Sequence, residues 1–199
     1  MAQGKQAKRL NAKQQQQLLD HVAHRRYPLR DRVMVLLSYR AGLRAIEMAK
    51  LKWSMVTDPD GNVADVISLT NNASKGKGGG RTIPIHPELR DALVVLQDNW
   101  SVETDPIPDD PILLSERGGH FRPAAIVIWF LRRYEELRFE GASSHSGRRT
   151  FITGAAKKIS DAGGSIRDVQ QLAGHASLAT TQRYIDGDNE AKRRVVAML

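Results

Sequence analysis

A change of hydrophobic periodicity near residue 58 constrains the fold of this chain more than any other sequence feature. Before it, apolar residues recur at helical spacing. After it, the turn sequence Asp58-Pro-Asp-Gly-Asn62 leads into an alternating stretch, 63–69, and a glycine-rich turn separates this stretch from a second one, 81–85. From residue 87 the pattern is helical again. The sequence therefore predicts a mainly α fold with a small antiparallel three-stranded β-sheet at one edge, an α+β domain.

Capping signals mark the ends of the first helices. Asn11 with Gln14 three residues later is a capping box that begins the first helix, and Gly42 is expected to end the second as its C′ residue. Helices are expected at about 12–24, 29–40, 44–51, 87–99, 122–138, 146–160, 166–173, 178–185 and 188–198, with a surface loop at 104–111.

The charge of the chain favours a polyanionic partner. Lysine and arginine number 30 against 22 acidic residues, a formal net charge of +8, which is typical of nucleic-acid-binding proteins. The alternative is that the positive charge serves only to keep the protein soluble. The chain has no cysteine, which excludes disulfides and thiolate metal sites, and no apolar run approaches the roughly 18 residues of a membrane helix. We therefore expect a cytoplasmic protein that does not enter membranes.

The glycine-rich turn first suggests a nucleotide site, but its context excludes one. A phosphate-binding P-loop has the pattern GxxxxGK[ST] between a strand and a helix. The run KGKGGG at 75–80 lies between two predicted strands instead. Taken alone, it indicates a flexible hairpin turn.

Two short motifs carry residue types that suit phosphate chemistry, and each alone has an ordinary explanation. His145 and Arg148 are three residues apart, so they would share one helix face, either reaching one phosphate or facing solvent. Arg44 at a helix start has Glu47 one turn on. The carboxylate could hold the guanidinium in place, or the two could form an ordinary surface pair.

A histidine and a tyrosine near the carboxyl end form a third motif. His175 follows Leu-Ala-Gly, and Tyr184 comes nine residues later. A lone histidine after glycine is usually a loop residue, and a lone tyrosine near a helix end is usually a half-buried anchor. The order and spacing of the motifs together are far more specific than any one of them.

In that order and spacing the chain resembles the tyrosine site-specific DNA recombinases, the phage-integrase family. AGLRAIEMAKLKW is similar to the family's first box, and SKGKGGGRTIPIHPEL to the hairpin that carries its lysine. SSHSGRRTFITGAA is similar to its HxxR box, and LAGHASLATTQRYI to its LGH…Y segment. The resemblance covers about residues 11–186 and implies the catalytic-domain fold of the DNA breaking-rejoining enzymes.

The resemblance implies transesterification on double-stranded DNA without metal or cofactor. Tyr184 would attack the phosphodiester and form a 3′-phosphotyrosyl link, which keeps the bond energy so that no ATP is needed. Arg44 and Arg148 would bind the non-bridging oxygens, and His175 would donate to one of them. His145 would hydrogen-bond the phosphate and help accept the tyrosine proton.

The family's lysine, a general acid on the 5′-oxygen leaving group, does not align with a lysine in this chain. It usually precedes the hairpin proline by eight residues, and eight residues before Pro84 is Gly76. Lys75 and Lys77 flank that position. Lys75 is favoured by its SKG context at the strand end, and Lys77 stays open as the alternative.

The resemblance also implies partners and a domain plan. Arg81 is expected to contact backbone phosphate, and Arg149 to bind DNA. Residues 1–8 are expected to be a basic tail and 9–199 the catalytic domain, without the amino-terminal helical domain with which most family members clamp DNA. The family implies a homo-tetramer on DNA, coupled through a carboxy-terminal helix, and a helix that folds back on its own domain is the alternative. We expect a monomer or weak dimer in solution, and a bacterial or phage-derived protein associated with the nucleoid.

The sequence leaves several alternatives open. The chain resembles the short fimbrial phase-variation invertases in lacking the clamp domain, or it is an excised fragment. Type IB topoisomerases share the chemistry, but they usually have a lysine where His145 stands and lack the LAGH pattern. A DNA-binding module that modulates a full-length recombinase, with weak or partner-dependent cleavage, is the alternative to an enzyme.

Overall fold

A computed structural model describes residues 7–73, 80–100, 108–185 and 196–197. Their elements are α1 (Ala12–Ala23), α2 (Pro28–Tyr39), α3 (Ala45–Ala49), a 3-10 turn (Trp53–Met55), β1 (Val66–Leu69), β2 (Arg81–Pro84), α4 (Pro87–Asp98), α5 (Pro123–Glu136), α6 (Ser146–Lys158), α7 (Ile166–Ala173) and α8 (Leu178–Ile185). The architecture is mainly helical with a small antiparallel sheet, which confirms the expected fold class.

The sheet has two strands within the described ranges, where the sequence predicted three. β1 and β2 pair antiparallel, with Val66 opposite Pro84. The stretch expected to begin as a strand at Val63 becomes one only at Val66, because Val63 makes an isolated bridge with Thr57 across a tight turn. The carboxylate of Asp58 accepts two main-chain N–H groups inside that turn, so these groups are satisfied locally. The third strand is therefore not confirmed.

The expected helix signals are present with one shift of position. The side chain of Asn11 accepts from the N–H of Gln14 at 2.8 Å, and the side chain of Gln14 accepts from the N–H of Asn11 at 3.1 Å, which confirms the capping box. Gly42 adopts the left-handed conformation, with φ of 64°. It lies two residues after the C-cap of α2, Arg40, and not directly after it as expected.

Helix α2 is the centre of the main core. Its residues 33–37 are all fully buried, as expected of a helix that is covered on every side, and it packs against α1, α4 and α6. A second, smaller cluster is built around Ile152 of α6 with Val169 and Ala173 of α7, and Tyr184 of α8 packs against it. The last three helices thus form a second layer, which contacts the main core through α6 against α2 and through α7 against β2.

Several expectations fall outside the described residues. Lys75 and Lys77 lie there, as does the predicted helix 188–198 apart from residues 196–197. No helix in the described part of the chain is long and apolar enough to cross a membrane.

Candidate active site

Arg44 directly precedes α3 and follows a turn that requires glycine. A Cβ at Gly42 would lie 2.4 Å from Cδ1 of Phe151, and its positive φ disfavours any side chain. Arg44 then donates its main-chain N–H to Oε2 of Glu47 and its Nη1 to Oε1, both at 2.8 Å. The suggested pairing of Arg44 with Glu47 is therefore present in the fold.

Glu47 is a buried carboxylate and not half of a surface pair. It is 0% exposed, and besides Arg44 it binds Nη1 and Nη2 of Arg81 at 2.8 and 3.0 Å. Burial raises the pKa of Glu47, but the hydrogen bonds and charges of Arg81 and Arg44 outweigh burial and hold the pKa below its ordinary value. Glu47 is thus an anion that orients two guanidiniums at neutral pH.

Arg81, which was expected to contact backbone phosphate, is held by groups of the protein in this fold. The side chain of Arg81 is 7% exposed. Nη1 and Nη2 bind Glu47, and Nε donates to the carbonyl of Leu172 at 3.0 Å. The sequence placed Arg81 in a basic hairpin, where a solvent-facing role was the natural expectation. Its carboxylate partner lies 34 positions away along the chain, so sequence spacing gave no sign of it.

Arg148 is buried where α6 crosses α2. A Cβ at Gly147 would lie 2.1 Å from Oγ of Ser38, so glycine permits the close approach of the two helices. Arg148 is 4% exposed and donates to the carbonyls of Gly42 and Ala173, each at 2.5 Å. Burial and the nearby guanidiniums, Arg44 first, lower the pKa of Arg148 to about 10, so the group remains a cation at neutral pH.

The carboxyl end of α7 joins the three arginines. Three successive carbonyls accept from them: Leu172 from Arg81, Ala173 from Arg148 and Gly174 from Arg44. The last carbonyls of a helix lack intrahelical partners and carry the negative end of its dipole, so they suit cations. The Leu-Ala-Gly residues stand out in the sequence but their role does not, because the accepting atoms belong to the backbone.

Gly174 closes α7 and brings His175 beside Tyr184. Gly174 has φ of 59°, and a Cβ there would lie 2.6 Å from Nη1 of Arg81. The ring of His175 stacks on the ring of Tyr184, with centroids 5.4 Å apart and planes at 23°. Burial, then the charge of Arg148 and of other nearby guanidiniums, lowers the pKa of His175 to about 4. His175 is therefore neutral at pH 7.

His145 and Tyr184 line one cavity of about 340 Å³, together with Arg149. His145 is the N-cap of α6 and is exposed, whereas Arg148 three residues later is buried. The two residues therefore do not share a solvated helix face. Arg149 donates Nη1 to the carbonyl of Ala7 at 3.1 Å, and its buried Nε has no hydrogen-bond partner in the described ranges.

Other candidate sites are separate from this one. A larger cavity of about 550 Å³ lies between α2 and α5, where Tyr27, Trp129 and several arginines line it, and none of the expected catalytic residues that the structure describes reaches it. Among the residues that the structure describes, no group of three or more histidine, aspartate and glutamate side chains could hold a metal ion.

The arrangement suits an oxyanion beside a nucleophile. Three guanidiniums, Arg44, Arg81 and Arg148, surround a single carboxylate, so the centre carries an excess of positive charge. Arg148 uses two of its N–H groups on carbonyls, and a guanidinium has five. The remaining N–H groups can bind an anion next to the stacked pair of His175 and Tyr184.

The chain matches known proteins over most of its length. The model of the "Phage integrase family" matches residues 8–191. Tyrosine recombinase XerC of Bradyrhizobium diazoefficiens is 32% identical over 170 residues, 84% of this chain and 49% of that protein. Tyrosine recombinase XerA of Pyrococcus furiosus is 34% identical over 159 residues, 78% of this chain and 50% of that protein. The chain thus spans about half the length of these relatives.

Solved structures of recombinases superpose on this fold. A crystal structure of XerA recombinase superposes with a TM-score of 0.72 and 26% identity, covering 96% of this chain and 64% of that one. A lambda integrase dimer bound to a core site superposes with a TM-score of 0.65, covering 92% of this chain and 49% of that one. At 21% identity, the second match supports the fold alone.

Proposed function

Because this chain belongs to the phage integrase family, that of the tyrosine recombinases, we propose that it cleaves and rejoins DNA through a 3′-phosphotyrosyl intermediate on Tyr184. The observation that carries the proposal is the convergence of Arg44 and Arg148 on the end of α7, directly before the stacked pair of His175 and Tyr184. Arg44 and Arg148 can hold a phosphate, and Tyr184 can attack it.

The other roles are those that the family resemblance implies, and the position of each side chain supports them. Arg44 and Arg148 bind the non-bridging oxygens, and Glu47 holds Arg44 in its orientation. His175 donates to a non-bridging oxygen. His145 lines the cavity of Tyr184, and it contacts the phosphate and helps accept the tyrosine proton.

The leaving group needs a proton, which a lysine of the hairpin supplies. Lys75 is the favoured general acid on the 5′-oxygen and Lys77 the alternative, both expected from the family's hairpin. Arg149, which lines the cavity of Tyr184, contacts the DNA backbone, and Arg81 is the second residue expected to contact a backbone phosphate. No metal or cofactor takes part, because guanidiniums and imidazoles neutralise the charge on the reacting phosphate.

The partner is double-stranded DNA, and the acting species is an assembly of identical subunits. We propose that residues 9–199 form the catalytic domain after a basic tail, 1–8. The protein is a monomer or weak dimer in solution and a tetramer on paired DNA sites, where a carboxy-terminal helix after residue 187 couples the subunits. It acts in the cytoplasm, at the nucleoid.

Covalent trapping tests the proposal. Duplexes selected from a random pool by binding to the protein are nicked at successive positions, so that the short strand carrying the new 5′-hydroxyl diffuses away after cleavage. The wild type should give an SDS-resistant protein–DNA adduct. Tyr184→Phe should give none while it binds DNA nearly as well, because only one hydroxyl is lost.

Tyr27→Phe is the matched control, since Tyr27 is half-buried as Tyr184 is but lies before α2 and outside the site. It should trap DNA like the wild type. An adduct with Tyr184→Phe would show that another residue is the nucleophile. Specific binding without any adduct from the wild type would favour a DNA-binding module instead.

A further inference from the structure

A fully buried threonine joins the nucleophile helix to the histidine of the site. Thr181 lies on α8, three residues before Tyr184, and is 0% exposed. Its Oγ1 lies 2.9 Å from Nδ1 of His175. The family resemblance gave Thr181 no role, since a threonine in a helix has no special meaning in sequence.

The direction of this hydrogen bond follows from the partners available. A buried hydroxyl needs an acceptor for its proton, and among the described residues Nδ1 of His175 is the only partner of Thr181. Nδ1 therefore accepts. A neutral imidazole that accepts at one nitrogen carries its single proton on the other, so Nε2 is the protonated nitrogen of His175.

The protonation state makes the choice of nitrogen important. Because burial and the nearby arginines lower the pKa of His175 to about 4, the free protein has only one proton on this ring at neutral pH. A ring with that proton on Nδ1 would present a lone pair from Nε2 to an oxyanion and would repel it.

We propose that Thr181 is a positioning residue: its hydroxyl holds Nδ1 of His175 so that Nε2–H is presented to the phosphate, and it ties this donor to the helix that carries the nucleophile. The inference rests on the proposed function. Because Thr181 and Tyr184 lie on the same helix, a displacement of α8 breaks the hydrogen bond to His175 and also moves the nucleophile. The donor is therefore in place only when the nucleophile is.

Two substitutions separate the hydroxyl from the shape of the side chain. Thr181→Val keeps the volume and removes the hydroxyl, and Thr181→Ser keeps the hydroxyl. Thr153→Val is the matched control, because Thr153 is 3% exposed on neighbouring α6 and its Oγ1 has no hydrogen-bond partner in the described ranges. The wild type and the three variants are compared in single-turnover cleavage of the nicked duplex used for covalent trapping and in DNA binding.

Thr181→Val should reduce the cleavage rate about 10- to 100-fold, the range seen when the partner that orients a metal-bound histidine is removed. Its DNA affinity should stay within about threefold of the wild type, since nonspecific phosphate contacts supply most of the affinity. Thr181→Ser should recover most of the rate, and Thr153→Val should cleave like the wild type. A rate for Thr181→Val within threefold of the wild type would overturn the proposal, as would no recovery with Thr181→Ser.

A second measurement reads the tautomer without DNA. Proton–nitrogen NMR on protein labelled with ¹⁵N-histidine distinguishes a protonated Nε2 from a protonated Nδ1, and loss of one signal in His175→Gln assigns the ring among the six histidines. The wild type should show Nε2–H alone, and Thr181→Val should show a mixture.

A wild-type proton on Nδ1, or an unchanged tautomer in Thr181→Val, would contradict the inference. If the wild type cleaves no DNA, the proposed function fails. The NMR result then still decides whether Thr181 sets the tautomer of His175.

Discussion

Replacing the buried carboxylate of Glu47 by an amide is the sharpest test of how the site is held together. In Glu47→Gln the shape is kept, but the negative charge between Arg44 and Arg81 is lost. The four hydrogen bonds that Glu47 accepts, three of them from guanidinium nitrogens, converge on its two oxygens. An amide has one accepting oxygen and would turn its NH₂ group toward a guanidinium donor.

The expected loss is large because no solvent reaches the group. Removing one partner of a buried ion pair destabilises proteins by about 3–5 kcal/mol, whereas whole domains are stable by about 5–15 kcal/mol. For a chain of this length each kcal/mol lowers the melting temperature by about 2–4 °C, so Glu47→Gln should melt about 6–20 °C lower. Cleavage should fall with it, because Arg44 loses the group that orients its guanidinium.

The pH dependence gives an independent check. The folded pKa of Glu47 lies below its ordinary value of 4.5, so the carboxylate contributes fully to stability above that value. Its contribution is lost as the pH falls through the depressed folded pKa. The difference in unfolding free energy between wild type and Glu47→Gln should therefore be constant from neutral pH down to about 4.5 and shrink below it.

Urea unfolding followed by circular dichroism measures these differences. The comparison requires that the unfolding free energy of each protein falls with urea concentration at the same slope. Glu88→Gln is the control: Glu88 is 26% exposed and pairs with Arg40 and Arg32, and such partly exposed pairs contribute about 0–1 kcal/mol. If Glu47→Gln loses no more than Glu88→Gln, or if its deficit grows in acid, the buried ion cluster does not have the role assigned to it.

Three further outcomes are expected. Arg148→Lys keeps the charge but loses the planar fork of the guanidinium. Single-turnover cleavage should therefore fall about 100-fold or more while DNA binding persists, and near-normal cleavage would show that Arg148 has no role in the reaction. EDTA should leave cleavage unchanged, and a loss that Mg²⁺ restores would contradict the metal-free chemistry. Gly42→Ala should lose about 2–5 kcal/mol in urea unfolding, from backbone strain plus the clash with Phe151. Gly61→Ala, with positive φ but open space, should lose only the strain, and equal losses would contradict the packing argument.

Local features of the fold could be predicted from the sequence because they depend on neighbours in the chain. The capping box of Asn11 and Gln14, and the pairing of Arg44 with Glu47, each join residues three positions apart. The left-handed turn at Gly42 also follows from the residue type. The number of strands did not follow, since the alternation from Val63 onward fits a strand and a bridged turn equally well.

The centre of the site could not be predicted in the same way, because its contacts cross the chain and end on backbone atoms. Arg81 reaches Glu47 over 34 positions, and Arg148 reaches the carbonyl of Gly42 over 106. A carbonyl acceptor leaves no residue-type signal, so the cations can be identified from sequence but the groups that hold them cannot. Thr181 was missed for the same reason, since its meaning depends on His175 in three dimensions.

The charge at the centre favours the proposed cleavage over DNA binding alone. Three guanidiniums against Glu47 leave two positive charges in excess, partly offset by the carbonyl ends of α7. A phosphodiester carries one negative charge, and a second develops when the tyrosine oxygen attacks after giving up its proton. The excess therefore matches the transition state better than the ground state, which is the condition under which binding energy lowers a barrier. Because Arg148 is buried and already bonded to two carbonyls, little reorganisation is needed when that second charge appears.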